Sequence, residues 1–540
     1  PSLTQALWTS VVALLALLLS GCVVGPDYEK PSPPVPDAWS TPLEGGEAAG
    51  EPDIAEWWRV FGDPALDALV ARALEGSLDL RMAEARIRES RAAEEISGAD
   101  LWPALNASAG YKRLQNKKAA STGISSSSST GLSAQGVSRS YSLSAGGTSV
   151  SVAPDLTGAG NSRVTVNRGQ AASAPSRWDD LFQAGFDARW ELDVFGGTRR
   201  EMEAARASRE AAEEDLRAVR VSLAAEVARN YFTLREAQAS LDIASRNAAL
   251  QRDSLDLVRA RFEAGLTNEL DIRAAETQLA VTESGLPGHA ARVQYAIHRL
   301  GVLMGRAPGA LQEELAPAAD LPPAPPTVPV GLPSDLLRRR PDVRAAERDL
   351  AAATARIGVA TADLFPKFAL TGSLSGQDDA LYGLKRGANL LWSVGPTVQW
   401  PVFDAGRIRA NIRVQNARQE QALTAYEKAV LTSLEEAENA LVAYAREQNR
   451  LASLDQAVTA ANGTLTLASD LYAQGLTDYL RVLDAERSIA SAEAQRAQSR
   501  AAVLTNLTAL YKALGGGWNP EETTPPAPAD VEEAKAAPAS

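Results

Sequence analysis

The side chains that could do chemistry in this chain are few. There are two histidines, His289 and His298, nine positions apart, and a single cysteine, Cys22. A metal centre needs several histidine, cysteine or carboxylate ligands converging on one point, so the two histidines read as ordinary polar helix residues. One thiol cannot form an intramolecular disulfide. No glycine-rich phosphate loop, Ser/His/Asp set or isolated carboxylate pair stands out. Neither an enzymatic reaction nor a metal or other cofactor is therefore expected. The formal net charge is −13, with no basic patch interleaved with aromatics, which argues against nucleic acid as a partner.

The thiol sits in a distinctive place. Val11 to Leu19 is an unbroken apolar run, too short to span a bilayer and of the length of a signal-peptide core. The charged segment that should precede it is missing and the chain begins at Pro1, so further residues are expected ahead of it. Leu19-Ser20-Gly21-Cys22 resembles a bacterial lipobox, whose cysteine is lipidated and becomes the mature N-terminus. Val23, rather than aspartate, follows, which in that class favours the outer membrane. Acyl chains on Cys22 would anchor the protein, at about 0.8 kcal/mol per buried methylene. Residues 1–21 are thus expected to be a lipoprotein signal peptide and 22–60 a lipidated tether. The tether's prolines, as far as Pro52, favour a semi-rigid extended chain.

The elements beyond the tether come twice. Adding 210 to the numbering carries Trp190 onto Trp400, Glu226 onto Glu436, Leu255 onto Leu465, Gly265-Leu266-Thr267 onto Gly475-Leu476-Thr477, and Gly305 onto Gly515. A fixed offset marks an internal repeat. The first copy is expected at 61–305 and the second at 334–515. A proline-rich linker (306–333) separates them, and a disordered tail (516–540) rich in Pro, Ala and Glu follows. Each copy opens with a helix, from Ala65 to about Ala99 and from about Ser334 to Ala362. Ser334 or Asp335 is a candidate cap for the second, and Arg338-Arg339-Arg340 reads as solvated surface. Each copy closes with a helical hairpin. Its outgoing helix (Thr198 to Ala264, Arg407 to Gln474) would extend about 100 Å. Helices of this length point to a coiled coil or helical tube. Pro287-Gly288 should kink the first return helix or mark a boundary in it. The Ser/Gly-rich stretch 115–174 is expected to be a solvated loop.

Between these helices lie strands. From Leu181 to Phe195, Phe182, Ala184, Phe186, Ala188, Trp190, Leu192 and Val194 alternate with mostly polar residues, a period of two. Leu390 to Val402 repeats the pattern, weakened by Pro396 and Pro401, and Leu105–Tyr111 and Phe368–Leu374 are fainter partners. About ten residues is the length of a tilted transmembrane strand. A barrel in lipid must close, and four strands are too few for that, so such a chain must oligomerise.

Several phrases together carry a family resemblance. They are the lipobox followed by Gly25-Pro26-Asp27-Tyr28-Glu29-Lys30-Pro31, then Gly331-Leu332-Pro333-Ser334-Asp335-Leu336-Leu337-Arg338-Arg339-Arg340-Pro341-Asp342, and Leu514-Gly515-Gly516-Gly517-Trp518. The chain from Cys22 to about Pro520 resembles the outer-membrane lipoprotein ducts of resistance–nodulation–division efflux systems, of the TolC-type, NodT/OprM-like family. The resemblance implies a mainly α fold with a transmembrane β portion. In a homotrimer, four strands per chain would form a twelve-stranded barrel and the helices a periplasmic tunnel. It also implies outer-membrane lipid around the barrel, a periplasmic adaptor protein, and an inner-membrane pump of that class. Phe262, Gly265, Leu266 and Thr267, with Gly475, Leu476 and Thr477, resemble the family's adaptor-contacting tips. Asp271, Tyr472 and Asp484 match gate positions. Arg481 departs from the pattern and offers an opposite charge for Asp271 or Asp484. The function implied is an exit duct for small molecules. The alternatives are the duct of a type I protein-secretion system and, in a different class, a structural coiled-coil lipoprotein without a pore. The alternation in 181–195 and 390–402 disfavours the last, since a periplasmic coiled coil needs no lipid-facing strands.

Overall fold

The computed structural model describes residues 23–42, 47–48, 54–114, 125–133, 136–145, 148–153, 163–168, 179–325, 328–378, 380–382 and 390–519. Cys22, the signal segment and residues beyond 519 lie outside the described residues. The chain divides into two compact units, one of strands (100–192 and 366–400) and one built mainly of helices from the rest.

In chain order the strands are β1 (Glu47–Ala48), β2 (Ala104–Leu114), β3 (Ser125–Ser133), β4 (Gly136–Ala145), β5 (Thr148–Ala153), β6 (Arg163–Arg168), β7 (Asp179–Leu192), β8 (Val328–Pro329), β9 (Lys367–Asp378) and β10 (Leu390–Gln399). The strand unit holds two antiparallel sheets, in the orders β10-β9-β7-β2 and β3-β4-β5-β6. The second is a correction. The stretch 115–174, expected to be a loop, contains four paired strands. Serine-rich composition reads as loop, but the sequence of β4 alternates serine with Val137, Arg139, Tyr141 and Leu143, a strand period.

In the first sheet the register lines up residues of like polarity. Ala107, Phe186, Leu374 and Trp392 form one cross-strand row, and Leu105, Ala188, Gly372 and Val394 the next. Rows of the opposite parity are polar: Asn106, Asp187, Ser373 and Ser393. Among the described residues the apolar rows are left open, for Trp392 is 75% and Val394 70% exposed. Pro396 is accommodated because β10 is an edge strand, and β10 ends before Pro401.

The helices are α1 (Pro64–Gly76), α2 (Leu78–Ala99), α3 (Gly197–Glu263), α4 (Glu269–Leu303), α5 (Gln312–Leu315), α6 (Leu336–Arg339), α7 (Pro341–Ala362), α8 (Arg407–Ala473) and α9 (Tyr479–Ala513). The stretch expected as one helix from Ala65 to Ala99 is two, broken at an extended Ser77 (ψ 133°). A Cβ on Gly76 would come within 2.6 Å of the Met304 carbonyl oxygen, so close packing against the end of α4 sets the break. Pro341 divides α6 from α7 and occupies the first turn of α7, where its missing N–H costs nothing. Asp335 does not cap forward. Its carboxylate takes the Leu332 N–H at 3.0 Å and the Arg338 guanidinium. No boundary falls at Pro287-Gly288, and α4 runs through both. They are exposed, so water can satisfy the freed carbonyl.

The long helices α3 and α8 start alike. Gly196 and Gly406 take left-handed backbone (φ 77° and 84°). Asp193 accepts the Arg199 N–H at 2.9 Å, and Asp404 accepts the Ile408 N–H at 2.7 Å. The main core lies where α1, α3, α4 and α9 converge. Trp57 stacks on Tyr511, with centroids 5.5 Å apart, and Phe61 meets Phe232 edge-on at 5.0 Å. Burial pushes the Tyr511 hydroxyl up to about 12. Gly516, Gly517 and Trp518 are buried in this unit, not part of a disordered tail.

Candidate gate at the helical turns

Both hairpins turn by the same device. Gly265 and Gly475 are left-handed (φ 73° and 76°). The Leu266 N–H donates to the Arg261 carbonyl at 2.8 Å and the Leu476 N–H to the Leu471 carbonyl at 2.9 Å, the six-to-one bond of a Schellman motif. The return helices are capped by Asn268, which accepts the Asp271 N–H at 3.2 Å, and by Asp478, which accepts the Arg481 N–H at 3.3 Å. Each turn exposes a leucine: Leu266 is 65% and Leu476 70% exposed. Phe262 is exposed too, while Thr267 and Thr477 are half-buried.

Of the sequence-expected gate residues, Asp271 acts on Tyr472, while the ion pair expected of Arg481 is not formed among the described residues of one chain. The Thr267 hydroxyl donates to the Asp271 carboxylate across the first turn. Arg481 and Asp484 are exposed, and among the described residues neither makes an ion pair. Arg481 stands at the position equivalent to Asp271, so Thr477 has no such acceptor there. Tyr472 is buried, its ring 5.6 Å from that of Tyr479. Its hydroxyl faces Thr267 and Arg261 without a well-formed hydrogen bond.

One residue that sequence reasoning passed over joins the two turns. Arg261, at the end of α3, donates from Nη1 to the Ala473 carbonyl at the end of α8 (2.9 Å). Its guanidinium lies 4.7 Å above the Tyr472 ring. A cation at a helix C-terminus meets the negative end of the helix dipole. The available signal was the repeat itself, since Arg261 falls on Leu471, so this contact has no counterpart in the other direction.

The three phrases that carried the resemblance are fixed in this same unit. A Cβ on Gly25 (φ 94°) would lie 2.4 Å from the Gly358 Cα. Asp27 pairs with Arg200 at 2.6 Å, and the Tyr28 hydroxyl donates to Glu347 at 2.6 Å. Further along the strap, Thr41 donates to Glu438 at 2.5 Å from its hydroxyl and 3.1 Å from its backbone N–H. Arg340 corrects the reading of the arginine run as solvated surface. It is 7% exposed and pairs with Asp342 and Glu436, each at 2.6 Å. Trp518 donates to the Arg339 carbonyl at 3.0 Å, and the guanidinium groups of Arg217 and Arg344 lie 5.0 and 5.1 Å from its ring. These motifs hold the N-terminal strap, the linker and the C-terminal residues to the helices.

The profile of the family described as outer membrane efflux protein matches residues 151–306 and 332–516, more than half of the chain. The chain belongs to that family. It is similar to nodulation protein T of Rhizobium leguminosarum bv. trifolii, 31% identical over 94% of this chain and 96% of that protein. The solvent efflux pump outer membrane protein SrpC of Pseudomonas putida is 30% identical over 93% of this chain and 97% of that one. Among solved structures, the outer-membrane channel OprN superposes with a TM-score of 0.74 at 35% identity, over 92% of this chain and all of that chain. The protein is thus an outer-membrane efflux channel, and its fold is that of outer-membrane channels. Among the described residues no helix is long and apolar enough to cross a membrane. The lipidation of Cys22 lies outside the described residues.

Proposed function

We propose that the chain works as a homotrimeric exit duct for small molecules, fed through a periplasmic adaptor by a resistance–nodulation–division pump and anchored by acyl chains on Cys22. The observation that carries the trimer is the β10-β9-β7-β2 sheet. It has one apolar face exposed, and neither edge strand is paired on its outer side among the described residues. In lipid each unpaired backbone group costs several kcal/mol, so β2 and β10 must find partners on other chains, and three copies give twelve strands. The exposed leucines at the two turns supply an apolar docking surface for the adaptor. SrpC, by its name, serves a solvent efflux pump, which supports small apolar molecules as cargo.

The turns form the gate in this reading. The Arg481 side chain makes no ion pair among the described residues of its own chain, so in this reading its partner is Asp271 or Asp484 of a neighbouring copy. Single-channel recordings of Asp271→Ala and Asp484→Ala should show longer open times. Unchanged closed-state occupancy in both would remove these aspartates from the gate. For the whole reading, crosslinking in native membranes followed by mass spectrometry should recover a trimer, an adaptor and a proton-driven pump. Recovery of an ATP-driven exporter instead would turn the reading to protein secretion.

A further inference from the structure

A carboxyl near the turns is buried where neither packing nor a duct requires one. Glu486 of α9 is 6% exposed. Its Oε1 accepts the Ser254 hydroxyl of α3 at 2.5 Å, and its Oε2 has no hydrogen-bond partner among the described residues. One turn back on α3, the buried Gln251 also has an Oε1 without a partner. Beside them Leu255 and Val258 of α3, Tyr472 of α8, and Tyr479, Val482 and Leu483 of α9 form one buried cluster.

Among the described residues no cation pairs with this carboxyl. On α9, Arg487 is exposed and donates to Gln278 of α4 at 2.8 Å, while Arg481 and Asp484 are exposed. On α3, Arg252 pairs with Glu283, Arg259 with Glu276, and Asp253 and Asp256 are exposed. From α8 come the apolar Leu465 and Ala468, with Asp470 exposed. On α4, Asp271 is bound by Thr267. The titratable group that feels Glu486 is the Tyr479 hydroxyl, raised by its own burial and then by this carboxyl. The other repeat shows the contrast. Glu276, at the equivalent position, takes Arg259 at 2.9 Å and Arg273 at 3.1 Å. The residues equivalent to those arginines are Ser469 and Leu483.

We propose that Glu486 is a proton-operated lock on the seam between α3 and α9: neutral, it lets the seam pack, and ionised, it opens the seam to water. A lone buried carboxylate is costly, and burial holds this carboxyl above its ordinary range, with the Ser254 hydrogen bond opposing. The sign follows. Packing of the seam is fully stabilised below the ordinary carboxylate pKa and loses that support as pH rises through the packed-state value. The effect on the pore rests on the turns being the gate; the effect on the seam does not.

The test is hydrogen exchange of 250–260 and 479–490 in the full-length protein in bilayers, corrected for intrinsic rates, between about pH 5 and about pH 8. Wild-type protection should fall several-fold as pH rises. Glu486→Gln should stay protected throughout, and Glu276→Gln should behave as wild type. Ser254→Ala removes a bond to the ionised form, so its midpoint should move to higher pH. Wild-type protection that ignores pH, a Glu486→Gln profile like wild type, or an unmoved Ser254→Ala midpoint would each overturn the lock. If exchange behaves as expected while conductance ignores pH, the lock stands and the gate assignment fails.

Discussion

Replacing Arg261 with alanine should make the duct easier to open. The side chain ties the end of α3 to the end of α8 by two contacts, the Ala473 carbonyl at 2.9 Å and the Tyr472 ring at 4.7 Å. A cation–π contact at a partly exposed site contributes about 0.5–1 kcal/mol. A cation on a helix C-terminus adds about 0.3–1 kcal/mol. Arg261 is half-buried and water can replace part of the carbonyl bond, so the sum is about 1–2 kcal/mol per chain. That corresponds to about a 5–30-fold change in an equilibrium between joined and separated turns. Single-channel recording in planar bilayers reads it as shorter closed times for Arg261→Ala. Arg261→Lys should fall between, since it keeps the charge but loses the planar guanidinium over the ring. Closed times equal to wild type in Arg261→Ala, with the trimer intact, would mean that the turns do not separate when the duct opens. A lysine variant as leaky as alanine would remove the charge on the helix end from the account.

Other outcomes follow from the core and the strap. Phe232→Ala empties the buried site against Phe61 and should cost about 3–5 kcal/mol, read as a lowered thermal midpoint of the helical unit. Gly25→Ala places a Cβ against Gly358 in left-handed backbone, a strain of about 1–3 kcal/mol; protease should cut residues 23–42 faster while the rest of the protein resists. The strap should also let go in acid. Burial pushes the Glu347 and Glu438 carboxyls up, but hydrogen bonds from Tyr28 and Arg348, and from Thr41 and Ser40, more than offset this and hold both below the ordinary range. Their contribution is present at neutral pH and lost as pH falls through those lowered values. Limited proteolysis at falling pH should therefore release the strap before the helices unfold, and equal protection across that range would contradict it.

Periodicity made the long elements legible. The offset of 210 carries the Gly-Leu-Thr turns, and the alternation around Trp190 and Trp392 fixes which rows of the sheet are apolar. What was hidden depends on partners far away in the chain. Arg340 reads as one of three surface arginines until Glu436 and Asp342 are beside it. Glu486 and Glu276 are the same letter at equivalent positions, and only their neighbours separate a buried acid from a surface ion pair. The break at Ser77 comes from Met304, more than two hundred residues on. At the turns the motifs located Asp271 and Tyr472, but the joint between them came from Arg261, whose partner is a backbone carbonyl that no side-chain pattern reveals.

The strap also constrains the order of events as the protein is made. Tyr28 binds a residue 319 positions later, and Ser40 one 398 positions later. Residues 23–42 are therefore synthesised before the residues that seat them, and that seat exists only after both repeats have folded. Contacts of such sequence separation form slowly. The segment that follows Cys22 thus stays undocked for as long as the body is unfinished. Its docking marks a folded body, and a misfolded body would leave it loose.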